Sequence, residues 1–121
     1  MTNKKTLRNK ADKLMQEVGR EKYKSCLVCG NPVSCMHHYY PKSVSSALRY
    51  DWDNLVPLCQ GCHFRHHNGG PSIHNAVNEI WGKEWLDRLN SKRTKIVKTN
   101  QQFYKDVIES LKNEDGTNKQ L

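Results

Sequence analysis

The sequence predicts a small α+β domain, two short strands and a helix stapled by a four-cysteine zinc site, with amphipathic helices on either side. Three observations lead there. Two Cys-x-x-Cys pairs, Cys26/Cys29 and Cys59/Cys62, stand about thirty residues apart. Two short β-like runs, Val33–Tyr40 and Asn54–Leu58, are bounded or interrupted by Pro41 and Pro57. Apolar residues recur at helical spacing before and after this block. Only 36% of the 121 residues are hydrophobic and the mean hydropathy is −0.90, so the core is small. A chain of this kind commonly draws stability from a bound metal or from disulfides.

The elements follow in order. From Lys4 to Val18, Leu7, Ala11, Leu14, Met15 and Val18 form one apolar stripe, and Gly19 is the expected cap. Residues 25–30 form the first metal knuckle, with Gly30 supplying the turn. Val33–Tyr40 reads as a strand stopped by Pro41, and residues 42–53 as a polar loop. Asn54–Leu58 reads as a second strand, restricted to an edge or an end by Pro57. The Cys59 knuckle opens a helix over Gly61–Asn68, ended by Gly69-Gly70. Pro71 and Ser72 start the next helix, whose stripe is Ile73, Val77, Ile80 and Trp81. Gly82 breaks it, and Trp85, Leu86 and Leu89 continue on a further short helix. Phe103, Val107, Ile108 and Leu111 mark a last helix, and the tail from residue 114 reads as disordered. The implied organisation is a basic N-terminal helix (1–24), a zinc-stapled core (25–70), a helical basic extension (71–113) and a tail (114–121).

Charge is distributed unevenly. Residues 1–24 hold eight Lys/Arg against three acids, residues 25–82 three of each, and residues 83–112 eight against four, within a net +8. Two basic arms around a neutral centre fit a polyanion gripped on either side of a site. The first residues are charged rather than apolar, and no stretch approaches the roughly 20 apolar residues that span a bilayer. Five cysteines are an odd number. Together these favour intracellular, metal-binding thiols over a secreted disulfide framework, and a cytoplasmic setting. Four cysteines suit a closed tetrahedral zinc site. Cys35, the fifth, reads as a buried thiol.

Histidines are left over once the cysteines are assigned. His37 and His38 stand side by side between the pairs, Asn54 follows, and His63 comes directly after Cys62. The ordered series His38, Asn54, His63, closed by Asn-Leu-x-x-Leu-Cys-x-x-Cys-His, resembles the HNH endonuclease family over about residues 26–67. The resemblance implies a ββα-metal core around one divalent cation. It also implies a DNA phosphodiester hydrolase leaving 5′-phosphate and 3′-hydroxyl ends. Carried onto this chain, it makes His38 the general base, Asn54 the residue that ties down the loop and orients His38, and His37 and His63 ligands of the catalytic cation. His67, four residues beyond His63 on the same helical face, is a further ligand. Mg²⁺ or Mn²⁺ is the expected catalytic ion, beside structural Zn²⁺.

His66 points away from that face and reads as solvent- or phosphate-facing, and His74 as ordinary surface. Arg49, Arg65, Lys92, Arg93, Lys95 and Lys98 are the candidate DNA-backbone contacts. Either a monomer or a homodimer fits, the former nicking one strand at a time. A narrower resemblance, carried by CLVCG, CMHHYYP, SSALRYDWDN and CQGC, is to the NinG/Rap group of phage recombination proteins. The chain departs from that group at His37 and His63, toward the general HNH pattern. The alternative function is a non-catalytic, zinc-stabilised DNA-binding or recombination protein of that type.

Overall fold

The computed structural model describes residues 3–68 and 73–114. The expected helix stop at Gly69-Gly70, the start at Pro71-Ser72 and the tail from residue 115 lie outside them. The order is α1 (Lys4–Lys22), β1 (Cys35–His38), a 3-10 turn (Trp52–Asn54), β2 (Leu55–Leu58), α2 (Gln60–His67), α3 (Ile73–Arg93) and α4 (Gln101–Asn113). Both strands are shorter than the sequence suggests, because the backbone on either side is drawn into the knuckle and the loop. The result is the α+β arrangement expected, a two-stranded sheet among four helices.

The antiparallel register pairs Cys35 with Leu58, Met36 with Pro57, His37 with Val56 and His38 with Leu55. Directly paired residues share a face, and successive residues alternate. One face therefore carries Met36, His38, Leu55 and Pro57, and the other Cys35, His37, Val56 and Leu58. Met36 and Leu55 pack with Met15 and Val18 of α1 and Leu111 of α4. Val56 and Leu58 pack with Ile73, Val77, Trp85 and Leu89 of α3 and with three of the paired cysteines. All four β2 residues are buried, so this strand is the middle layer of the molecule. Pro57 is accommodated because the strand has one partner, and its carbonyl accepts from Leu27 N–H of the knuckle at 2.9 Å.

The helices lie where their stripes predict, except that Ile80, expected on the apolar stripe of α3, is exposed. Asn3 caps α1, its side chain accepting from Thr6 N–H at 2.8 Å, and Asn100 caps α4 in the same way. Leu7 and Ala11 meet Tyr104 and Ile108, pairing α1 with α4. In α3 the expected break at Gly82 is a kink with φ 85°, after which the helix resumes. Asp53 anchors α3 to the 3-10 turn: its carbonyl accepts from Trp85 Nε1, and its carboxylate receives Arg88 and Lys92.

Gly19 departs from expectation. It does not end α1, which continues to Lys22, and it is buried. A Cβ there would stand 2.3 Å from Met36 Cγ and 2.8 Å from its Sδ. The glycine is a notch that lets β1 lie against the helix. Gly19→Ala gains about 1 kcal/mol of helix propensity, against roughly 1–3 kcal/mol for overpacking a closed core. A net loss of up to about 2 kcal/mol is expected in chemical denaturation, whereas Gly61→Ala, which meets only the tip of Arg65 at 3.4 Å, should leave stability unchanged or higher. A Gly19→Ala protein as stable as wild type would show that Met36 yields freely.

Candidate metal centres and hydrolytic cleft

The first centre is built by the two knuckles. Cys26, Cys29, Cys59 and Cys62 bring their sulfurs within 4.8 Å of one another, and Cys29 Sγ lies 3.5 Å from Cys59 Sγ. Four sulfurs each about 2.3 Å from a tetrahedral zinc stand about 3.8 Å apart, so the group fits that ion closely. Cys59 is the N-cap of α2 and accepts from Cys62 N–H at 3.4 Å. That bond and the neighbouring thiols hold the Cys59 thiol down to about 7, toward the thiolate that a metal requires. Arg65 Nη2 donates to Cys62 Sγ at 3.2 Å, setting a positive charge against the thiolate cluster. Cys35 is half-buried rather than buried, and stands outside the four-sulfur group.

The second centre gathers imidazoles on the α2 side of the sheet. His37 is 8% exposed, and its Nε2 has no hydrogen-bond partner. Its ring lies 5.5 Å from that of His63 and 5.6 Å from that of His67. His63 and His67, one helical turn apart, bring their Nε2 atoms to 3.0 Å. Two nitrogens each 2.0–2.1 Å from a tetrahedral metal would stand about 3.3 Å apart, so this pair is set for a shared cation. Burial first, then the neighbouring imidazoles, lowers the His37 pKa to about 3. It is therefore neutral, the form that ligates metal. The structure thus brings together the three histidines named from the sequence as cation ligands.

His38 projects from the opposite face of β1. Its Nε2 lies 2.9 Å from the Arg49 carbonyl. A carbonyl can only accept, so Nε2 carries the proton and Nδ1 keeps the lone pair. Burial, joined by the positive charges of Lys42 and Arg49, lowers the His38 pKa below 6.5, against the opposing effects of the Arg49 carbonyl and Asp12. His37, His38, His63 and His67 line one cleft of about 340 Å³ with Gln16, Met36, Pro41 and Lys42.

Asn54 is fully buried and works through main-chain atoms. Its Oδ1 accepts from Tyr40 N–H at 2.8 Å, and its Nδ2 donates to the carbonyls of Tyr40 at 3.0 Å and Leu48 at 3.1 Å. It closes the loop that ends at the Arg49 carbonyl holding His38. Gln16 does the corresponding work for β1: it donates to Met36 O at 2.9 Å and accepts from Met36 N–H at 2.8 Å. Sequence reasoning missed Gln16, because a polar residue beside the α1 stripe gives no sign that it completes a strand edge. It also missed Lys42, whose exposed side chain borders the cleft.

The basic residues divide. Arg49 forms a two-toothed ion pair with Asp12, Nε to Oδ1 at 3.0 Å, and Tyr50 donates to the same carboxylate. Arg65 serves the thiolates, and Lys92 bridges Asp51 at 3.0 Å and Asp53 at 2.8 Å. These three guanidinium and ammonium groups are thus engaged in holding the fold, which the sequence did not foretell. Arg93 lies over the Tyr40 ring at 5.0 Å and is exposed, as are Lys95 and Lys98. His66 and His74, expected at the surface, are half-buried beside His37.

Fold and site together define a class: a small domain with a thiolate metal staple and an imidazole-lined cleft, built on two strands and a following helix. Residues 26–69 match the family model described as HNH endonuclease, and this segment is similar to that family. The chain also resembles the mitochondrial DNA mismatch repair protein mutS homolog of Sarcophyton glaucum. The two are 33% identical over 75 residues, covering 52% of this chain and 8% of that relative. The chain therefore spans a small fraction of that relative's length. No solved structure matches it. Among the described residues, no helix is long and apolar enough to cross a membrane.

Replacing Asn54 tests the loop closure. Asn54→Ala leaves the Tyr40 N–H and carbonyl without partners and takes from the Leu48 carbonyl one of its two donors, the other being Asp51 N–H at 3.3 Å, a loss of about 2–3 kcal/mol. Thermal unfolding should shift down accordingly, and hydrogen exchange at the Tyr40 amide should accelerate. An unchanged amide would mean that the loop is held by other contacts.

Proposed function

We propose that this chain hydrolyses phosphodiester bonds in DNA, with His38 as the general base and a divalent cation, Mg²⁺ or Mn²⁺, held by His37, His63 and His67. One observation supports this above the others. The ring nitrogens of His37, His63 and His67 converge in the same cleft that His38 lines from the other face of β1. A zinc-stapled DNA-binding domain needs the thiolates and the basic arms, but has no use for this second convergence.

The residues divide the work. His38, fixed as the Nε2–H tautomer by the Arg49 carbonyl, takes a proton from water on Nδ1. Asn54 positions it indirectly, by fixing the loop from Tyr40 to Leu48. Lys42 stands at the cleft, where it would meet a phosphate oxygen, and exposed Arg93, Lys95 and Lys98 extend the positive surface for the backbone. A bound cation would supply charge stabilisation at the scissile phosphate and the leaving oxygen. The buried, neutral His37 suits that ligand role, because it is pre-positioned and need not shed a proton.

A supercoiled-plasmid nicking assay tests the assignment. Wild type with Mg²⁺ or Mn²⁺ should nick, and His38→Ala should be slower by about 10²-fold or more while keeping one equivalent of cysteine-bound zinc. If both proteins bind DNA but neither cuts supercoiled, linear or branched DNA with any divalent cation, the domain is a binding module.

The pH profile supplies a second check. The base acts when neutral, so the rate falls as pH drops through the His38 pKa, with a midpoint below the ordinary 6.5. Lys42→Gln removes a positive charge that disfavours the imidazolium, and should move this midpoint upward. A midpoint that ignores Lys42 while His38→Ala remains inactive would place the titrating group elsewhere.

A further inference from the structure

His37 belongs to two imidazole triads. One is the set just described. The other joins it to His66, between His63 and His67 on α2, and to His74 in the first turn of α3, with ligand nitrogens again within 4.8 Å of one another. The ring centroids of His37 and His66 are 4.8 Å apart, those of His66 and His74 5.1 Å, and those of His37 and His74 5.8 Å.

Two features distinguish this from a casual stack of rings. The buried Nε2 of His37 and the enclosed Nδ1 of His66 have no hydrogen-bond partner. Enclosed polar atoms left in that state are costly, and two of them in one cluster call for a shared electrophile. The His74 ring is also held in place: it stacks on Tyr39 at 4.2 Å, and the Tyr39 hydroxyl donates to Asn78 at 2.8 Å. Supporting contacts of that kind orient ligating imidazoles.

We propose that His37, His66 and His74 form a second metal site, selective for Zn²⁺ and similar transition ions, and exclusive of the His37–His63–His67 site. Selectivity follows from the donors. Three nitrogens and no carboxylate suit Zn²⁺, Co²⁺, Ni²⁺ or Cu²⁺, and suit Mg²⁺ poorly unless oxygens complete the set. Water and a phosphate would do so in the open cleft at His63 and His67, but not at the enclosed second triad. Exclusivity follows from His37, because a neutral imidazole has one lone-pair nitrogen and serves one cation at a time. A transition ion in the second triad withdraws the buried ligand from the cleft beside His38. The fold thereby holds a metal-operated off position next to the hydrolytic one.

Cobalt titration of protein already carrying zinc at its cysteines tests this without any reference to DNA cleavage, so its outcome is separable from that of the nuclease assignment. The signal is Co²⁺ d–d absorption lacking thiolate charge transfer. Wild type should take up one such equivalent. His63→Ala/His67→Ala should still take up one, and adding His66→Ala in that background should weaken it at least tenfold. No uptake by the His63→Ala/His67→Ala protein overturns the second site, and two equivalents in wild type overturn the exclusivity. Where the multiple variants fail to fold, the ratio of Zn²⁺ to Mg²⁺ affinity in His66→Ala/His74→Ala decides. A fall of at least tenfold supports the site, and an unchanged ratio overturns it.

Discussion

The alternation of side chains along four residues of β1 governs where the histidines of the cleft lie. Neighbouring histidines on a helix would lie about a hundred degrees apart and share one environment. On a paired strand they face opposite layers. His37 is pressed among the imidazoles of α2 and α3, while His38 is directed toward α1 and the loop before the 3-10 turn. The two identical side chains thereby acquire separate surroundings. Everything that fixes the strand contributes to this division: the pairing with β2, the Gln16 clamp on its outer edge, and the Gly19 notch that admits Met36. A slip by one residue would exchange the two histidines and reverse both placements.

The thiolate staple makes so short a strand workable. A two-stranded sheet is marginal by itself in water. Here its second strand runs directly into a metal knuckle, and the first knuckle bonds the same strand through Leu27 N–H and the Pro57 carbonyl. A metal at the four sulfurs would fix the ends of the sheet by coordination as well as by burial, and the small core then has only to fill the space between. Cys59 belongs to both arrangements, as one of the four grouped sulfurs and as cap of the helix that presents His63, His66 and His67. The geometry of one centre is transmitted to the other along a single turn of helix.

Much of this was legible in the sequence because it depends on spacing. The Cys-x-x-Cys pairs, the i, i+4 relation of His63 and His67, and the apolar stripes are short-range patterns, and each has its expected place in the fold. What escaped depends on contacts between segments far apart in the chain. His74 looked like surface because nothing near it in sequence is a ligand, and only the packing of α3 on the sheet carries it to His37. Arg49 and Lys92 looked like DNA contacts because the acids that engage them, Asp12 and the pair Asp51 and Asp53, lie 37 to 41 residues away. Gly19 looked like a helix stop because glycine commonly is one, and a close approach by a distant strand leaves no local trace.

Asn54 holds its loop in a way that separates shape from content. Its partners are the amide and carbonyls of Tyr40 and Leu48, and His38 reaches the carbonyl of Arg49, so the anchors are backbone atoms that any residue supplies. Between those anchors, Lys42, Ser43, Val44 and Ser46 are exposed, and Lys42 borders the cleft. Of these only Lys42 acts on the His38 imidazole, through its charge, and the side chains of Ser43, Val44 and Ser46 can be exchanged without retuning it. The loop is in this sense a socket of fixed form with interchangeable facing, whose outer surface can be altered while the histidines of the cleft stay in place.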